Sequence, residues 1–193
     1  HGEWQESYGV WLRDCFDLAR KAVLDVGCAC GSIAFGMHKA GMVVHAIDLN
    51  NHTVDMGRKR FGAGLASINV CDAVNLHLFR DESIDFVHAN QTFEHFRPEL
   101  VPFILEELSR VLVPGGLLWT VHDTTEVYAR QGRSPETEDP THCGIKPADW
   151  WREAFYVAGF EDVAGEYKAR LDHHPRSFLE RYDWDWFVLR KNP

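Results

Sequence analysis

The stretch VLDVGCACGSIAFGM, Val23 to Met37, decides how the chain is read. A short apolar run ends in turn residues, and apolar residues at helical spacing follow from Ser32 to Gly41. The pattern predicts a buried strand, a loop of small residues and a helix closed by a glycine. The loop carries Cys28-x-Cys30. As half of a zinc site this pair needs a second Cys or His pair at comparable spacing, and Cys71 and Cys143 are isolated. The two cysteines are therefore read as small fillers. Small residues between a strand and a helix let backbone come close to a ligand.

Outward from this unit the alternation repeats. Met42–Leu49, Ala66–Val70, Ser83–Asn90 and Leu117–Asp123 are predicted strands. A helix from Asn50 or Asn51 to Phe61 follows the second strand, and a long amphipathic helix within Arg97–Gly116 stops at Pro114-Gly115-Gly116. Strands alternating with helices argue an α/β fold: a doubly wound parallel sheet with helices on both faces. Ligands in such sheets bind beyond the carboxyl ends of the strands. The chemistry-bearing residues gather there: Asp25–Gly31, Asp48, Asp72, Asn90–His95 and His122-Asp123.

Beyond Asp123, residues 124–146 show little apolar periodicity and are predicted as a lid loop. Pro147–Phe160 reads as a helix, and EDVAGEYKAR and DWDWFVLRK read as two last strands, the second strongly β in character. At 193 residues the chain is predicted as a single domain, 1–193, with an N-terminal lid segment over about 1–20. The opening His1-Gly2 suggests one domain cut from a longer chain.

Net charge is −9, and the densest basic run, GRKRF at Gly57–Phe61, is better read as a solvated helix face. Binding to duplex nucleic acid is thereby disfavoured. No apolar run approaches the ~20 residues needed to span a bilayer, so no membrane insertion is expected. Five cysteines, an odd number at irregular spacing, point to a reducing compartment, the cytoplasm.

Two cofactor patterns compete for the loop. The dinucleotide fingerprint Gly-x-Gly-x-x-Gly would need glycines where Gly27, Ala29 and Ser32 stand, which argues against a nicotinamide or flavin. The pattern Asp25-x-Gly27-x-Ala29-x-Gly31 instead resembles the first motif of class I S-adenosylmethionine-dependent methyltransferases, with Ala29 in place of the middle glycine. That substitution is mild if the backbone there keeps φ below zero. AIDLN, NVCDAV, HANQTFEHF and LSRVLVPGGLLWT resemble later family motifs in the right order, and together the likeness covers Ala22 to Thr120.

The resemblance implies a Rossmann-like seven-stranded sheet, mostly parallel with an antiparallel final strand. It implies S-adenosyl-L-methionine as cofactor and S-adenosyl-L-homocysteine as product. Asp25, Gly27, Cys28, Ala29 and Gly31 would form the loop under its amino-acid part. Asp48, with Leu49 beside it, would take the ribose hydroxyls, and Asp72 and Ala73 the adenine. Asn90, Gln91 and His95 would meet the methionine end, and Tyr8, on a short N-terminal helix, would face the cofactor.

DPTHCGIKPADWW followed by AGF is similar to a glycan-associated subgroup of O-methyltransferases. A small-molecule or carbohydrate acceptor is expected, with Trp4, Trp11, Trp150 and Trp151 as candidate sugar platforms. An oxygen acceptor calls for a base near its hydroxyl. His142 and His122 are the candidates, Asp123 can orient either ring, and Glu94 and His95 lie on the cofactor side. Three alternatives stay open: a divalent metal held among His122, Asp123, Glu138, Asp139 and His142, a non-sugar metabolite as acceptor, and a binding module without catalysis.

Overall fold

The computed structural model describes residues 2–134, 139–171 and 185–192. Glu138 lies outside them. Helix α1 (Gly2–Phe16) precedes the alternation β1 (Ala22–Val26), α2 (Ser32–Lys39), β2 (Val43–Asp48), α3 (Asn51–Phe61), β3 (Ser67–Val70) and β4 (Ile84–Asn90). Two single 3-10 turns, Phe93–His95 and Pro98–Leu100, lead into α4 (Val101–Val111) and β5 (Leu112–His122). Then come α5 (Thr125–Arg130), α6 (Ala148–Val157), β6 (Phe160–Asp162), α7 (Ala164–Leu171) and β7 (Asp185–Lys191).

The strands form one seven-stranded sheet in the order β3-β2-β1-β4-β5-β7-β6. The first five are parallel, and β7 runs antiparallel to both β5 and β6. This is the expected Rossmann-like sheet with an antiparallel last strand. Order reverses between β1 and β4, the switch point where such sheets open a ligand crevice.

Alternation along the strands feeds two cores. On one face Trp119 and Val121 of β5 pack with Trp11 and Leu12 of α1 and Met37 of α2. On the other Leu118 packs with Leu105 of α4 and with Trp151 and Phe155 of α6. No helix among the described residues is long and apolar enough to cross a membrane.

Four elements depart from the sequence reading. Strand β5 starts five residues early: Ile84 pairs with Leu112 and Phe86 with Leu117, so the Pro-Gly-Gly run is an irregularity inside the strand. Residues 125–130 of the supposed loop are helical, because the Thr124 hydroxyl accepts the Val127 N–H at 3.2 Å and caps α5. EDVAGEYKAR yields only the end of β6 and then α7, since Ala164–Leu171 is rich in helix formers and buries Leu171. The N-terminal helix is fifteen residues long and docks on α2 in backbone contact: a Cβ on Gly9 would lie 2.4 Å from the Gly36 carbonyl oxygen.

Candidate active site

A cleft of about 790 Å³ opens at the carboxyl ends of β1, β2, β3 and β4. Its first end is built from loops. The Gly27 and Cys28 N–H groups both donate to the Ile47 carbonyl at 2.9 Å, pinning the turn after β1 to β2. Gly27 has φ +73°, and a Cβ there would meet Thr92 Oγ1 at 2.4 Å, so only glycine fits.

Ala29 also lies in the left-handed region, at φ 48°, contrary to the expectation of a negative φ. Left-handed backbone costs a non-glycine residue about 1–2 kcal/mol. The compensating contact is a 2.8 Å hydrogen bond from the Ala29 N–H to Asp48 Oδ2. Asp48 Oδ1 accepts the Asn50 N–H at 2.8 Å, and the Asn50 side chain caps α3. One half-buried acid thus organises both loops and still faces the cleft with Leu49. Asp72 and Ala73 line the cleft beyond it, and Asp72 Oδ1 takes the Val74 N–H at 3.1 Å.

Cys28 and Gly31 sit at the rear of the loop. The Cys28 thiol is buried and points to the Ala29 carbonyl at 3.6 Å; burial pushes its pKa up, which keeps it a thiol. Gly31, at φ +75°, turns its absent Cβ toward Ile68 Cδ1, 3.0 Å away.

Behind the loop runs a buried relay. The Trp119 indole N–H donates to the Tyr8 hydroxyl oxygen at 3.3 Å. Tyr8 and His88 Nε2 are 3.0 Å apart, and His88 Nδ1 and Asp25 Oδ1 are 2.6 Å apart. With the tyrosine donating to Nε2, His88 carries its proton on Nδ1 and gives it to the carboxylate. Asp25 Oδ2 is buried without a hydrogen-bond partner among the described residues. Tyr8 therefore belongs to the core, 3% exposed, and does not line the cleft.

The second end of the cleft is made by Gln91, Thr92, His95 and Thr141. Gln91, like Ala29, has positive φ, at 52°, and its N–H donates to the Val121 carbonyl at 2.7 Å. The Asn90 side-chain oxygen is buried without a partner among the described residues, and the Asn90 carbonyl accepts from the Thr92 hydroxyl at 3.3 Å.

Beside this end lies a polar cluster. Glu94 is fully buried, and burial raises its pKa to about 8. The rings of His95 and His142 meet edge-on, with centroids 4.7 Å apart. His142 Nδ1 is 2.8 Å from the Tyr128 hydroxyl and 3.9 Å from Asp123 Oδ2. Burial lowers the His142 pKa, and His95 lowers it further. Arg133 donates to Asp123 at 3.0 Å and stacks over the Tyr128 ring at 4.2 Å. The Gly144 N–H donates to the Glu94 carbonyl at 2.8 Å, which ties the insertion to the 3-10 turn.

His142 and Asp123 are thus brought together with Glu94 and His95. His122 is not. It is fully buried, stacked between Phe93 and Phe187 with Trp151 edge-on, and its Nδ1 meets Thr120 Oγ1 at 3.0 Å. Desolvation lowers its pKa to about 3. None of Trp4, Trp11, Trp150 and Trp151 lines the cleft. Tyr128, Arg133 and Thr141 were not singled out from sequence. The insertion gives no periodic signal, and within it only Glu138, Asp139 and His142 stood out as titratable candidates.

The comparisons with known proteins agree with this architecture. A family model described as "Methyltransferase domain" matches residues 24–120, just over half of the chain. The tRNA N(3)-methylcytidine methyltransferase trm140 of Schizosaccharomyces pombe is 25% identical over 130 residues, covering 61% of this chain and 42% of that protein. The biotin biosynthesis bifunctional protein BioHC of Cellvibrio japonicus is 32% identical over 115 residues, covering 58% of this chain and 22% of that protein. The chain thus spans less than half the length of these relatives.

Among solved structures, phosphoethanolamine N-methyltransferase 2 of Haemonchus contortus, in complex with S-adenosyl-L-methionine, superposes with a TM-score of 0.66 at 17% identity, over 98% of this chain and 53% of that one. The [4+2]-cyclase SpnF superposes with a TM-score of 0.67 at 20% identity, over 97% of this chain and 81% of that one. Identities this low speak for the fold alone. The family match rests on the segment that builds the sheet and the first end of the cleft, and by it the chain belongs to the methyltransferase domain family.

Proposed function

We propose that this protein is an S-adenosylmethionine-dependent methyltransferase that methylates a hydroxyl group of a small acceptor, with sugar hydroxyls as the first class to test. The observation that carries the reading is the two-ended cleft. Acids on the loops after β2 and β3 suit a nucleoside at one end, and a cluster of titratable side chains adjoins the other.

The residues present fit the cofactor. Asp48 faces the cleft, and each of its oxygens keeps a lone pair beyond the bonds to Ala29 and Asn50, as a ribose diol requires. Gly27 and Ala29 line the cleft with no side chain larger than a methyl group, where an amino-acid tail would pass. When bound, the cofactor supplies a methyl group already activated on a sulfonium.

The protein's own part is to bind, orient and exclude water. Asp48 and Asp72 hold the nucleoside, and Gln91, Thr92 and His95 border the transfer end. His142 would hold the acceptor hydroxyl, with Asp123 and Tyr128 buried behind it to orient its ring. The tryptophans named above do not line the cleft, and Phe96 is the aromatic ring that a sugar would meet there.

The test is a labelled-methyl transfer assay against nucleotide sugars, oligosaccharides and small phenols, with S-adenosylhomocysteine binding as the control. Label in an ether-linked methyl group is the expected result. Label only on nitrogen, or no binding of S-adenosylhomocysteine, overturns the reading.

A further inference from the structure

We propose that Glu94, His95 and His142 bind one divalent first-row transition ion, of the manganese, iron(II) or zinc type, at the acceptor end of the cleft. The site stands on its own geometry; its role toward an acceptor hydroxyl rests on the methyltransferase reading above.

Each of the three residues offers one ligand atom, and these atoms lie within 4.8 Å of one another. Ligands at about 2.0–2.1 Å from a tetrahedral ion stand roughly 3.3 Å apart, so small side-chain rotations close the site. The independent observation is the state of Glu94. Its side chain is fully buried, and neither carboxylate oxygen finds a donor among the described residues beyond its own backbone. Buried polar atoms are nearly always partnered, and an orphaned carboxylate beside two imidazoles lacks a cation. Arg133 does not fill that place, because it is engaged with Asp123 at 3.0 Å.

The surroundings also orient the ligands. The Thr141 hydroxyl donates to Asp139 Oδ1 at 2.7 Å, so at 3.0 Å from His95 Nδ1 it can only accept. His95 is therefore protonated on Nδ1 and keeps the Nε2 lone pair for an ion. The Tyr128 hydroxyl lies 2.8 Å from His142 Nδ1; when Nδ1 carries the ring proton and donates to that oxygen, Nε2 keeps its lone pair for the ion. Hydroxyl or carboxylate partners on the non-ligating nitrogen are the usual outer support of a metal-bound histidine.

Two imidazoles with one carboxylate favour transition ions over magnesium or calcium, which prefer oxygen. Three protein ligands leave coordination positions open. His95 and Thr141 also line the cleft, so an open position adjoins the space an acceptor would enter. An acceptor hydroxyl bound there would be polarised and fixed in place. This set differs from the one the sequence suggested: it uses Glu94 and His95 and leaves out His122 and Asp123.

The experiment is a titration of chelator-stripped full chain with manganese chloride, then zinc chloride, followed by calorimetry and by the electron paramagnetic resonance signal of free Mn²⁺. One equivalent bound is expected. Glu94→Gln and His142→Ala are each expected to weaken binding at least tenfold, and Tyr128→Phe by about 10–100-fold through loss of orientation. Melting temperature and S-adenosylhomocysteine binding check that each variant is folded. His95→Gln replaces either ligand variant that fails to fold.

No stoichiometric ion on the wild-type chain, or undiminished binding in the folded Glu94 variant, overturns the site. A metal-binding chain that ignores S-adenosylhomocysteine would leave the site standing and sink only the methyltransferase reading.

Discussion

At one end of the cleft the recognition groups are loop backbone and two acids at strand ends, Asp48 as the last residue of β2 and Asp72 two residues beyond β3. At the other end they are side chains gathered from three separate segments: Glu94 and His95 from a 3-10 turn, Asp123 from the end of β5, Tyr128 and His142 from the insertion. The first end is fixed by local geometry. The second depends on long-range contacts such as the hydrogen bond from Gly144 to Glu94. A substitution at the first end should therefore act on binding with little change in stability, while the second end and the core behind the loop couple the two.

The sharpest break in that comparison is Asp48→Ala. The carboxylate is half exposed, so its loss should move the melting temperature little. It would remove hydrogen bonds to the ribose, each worth about 1.5–3 kcal/mol for a charged acceptor. It would also free the strained Ala29 from its 2.8 Å anchor. Affinity for S-adenosylhomocysteine, read by calorimetry, is expected to fall about tenfold or more for each bond lost, so roughly 100-fold or more for the pair. An unchanged dissociation constant in a folded variant would remove the nucleoside from this end.

Tyr8→Phe should show the opposite pattern. The hydroxyl joins His88 and Trp119 in the core, and its removal leaves both with a buried polar atom unpaired. Stability should drop by about 1–3 kcal/mol, several degrees in melting temperature for a domain of this size. Cofactor affinity should hardly change. A variant that melts normally but binds the cofactor weakly would mean that Tyr8 reaches the cleft in solution.

The sheet and the first end were legible because both follow from adjacent residues: an apolar run, a turn and an acid two or three positions on. Asp25 showed the limit of that reading. Its place near the end of β1 was visible, but its partner His88 sits 63 residues away and Tyr8 a further 80 from that histidine, so the relay was not. Residues 164–171 were misread as a strand although Val163, Ala164, Tyr167 and Leu171 fall at helical spacing, and Tyr167 packs on Phe16 from a helix. Glu94 could be named as a candidate, but nothing in QTFEHF says that this carboxylate is fully buried beside Phe93. That burial is imposed by the insertion closing over the turn.

The sequence offered His142 as the base with His122 as its rival, and the fold separates the two. The consequence is testable through the pH dependence of stability. His122 is enclosed by Phe93, Trp151 and Phe187, and desolvation lowers its pKa to about 3, while an unfolded histidine titrates near 6.5. Above pH 6.5 both states are neutral and His122 adds no pH dependence. Below it the unfolded chain gains a proton that the folded one refuses, so stability is lost as pH falls toward 3, by up to about 1.4 kcal/mol per unit.

His122→Phe keeps the stacked ring and removes the titration. At pH 7.5 the variant should lie within about 1 kcal/mol of the wild type, the cost of unpairing the Thr120 hydroxyl. At pH 5.0 it should gain about 2 kcal/mol relative to the wild type. Thermal melts of both proteins at the two pH values give the comparison, and parallel pH profiles would show that His122 is protonated in the fold. Turnover supplies the second arm. A ring walled off by three aromatics should leave kcat within twofold, whereas a loss near the 10²–10⁴-fold typical of a missing base would put His122 in the chemistry and undo the division between the aromatic core and the polar cluster.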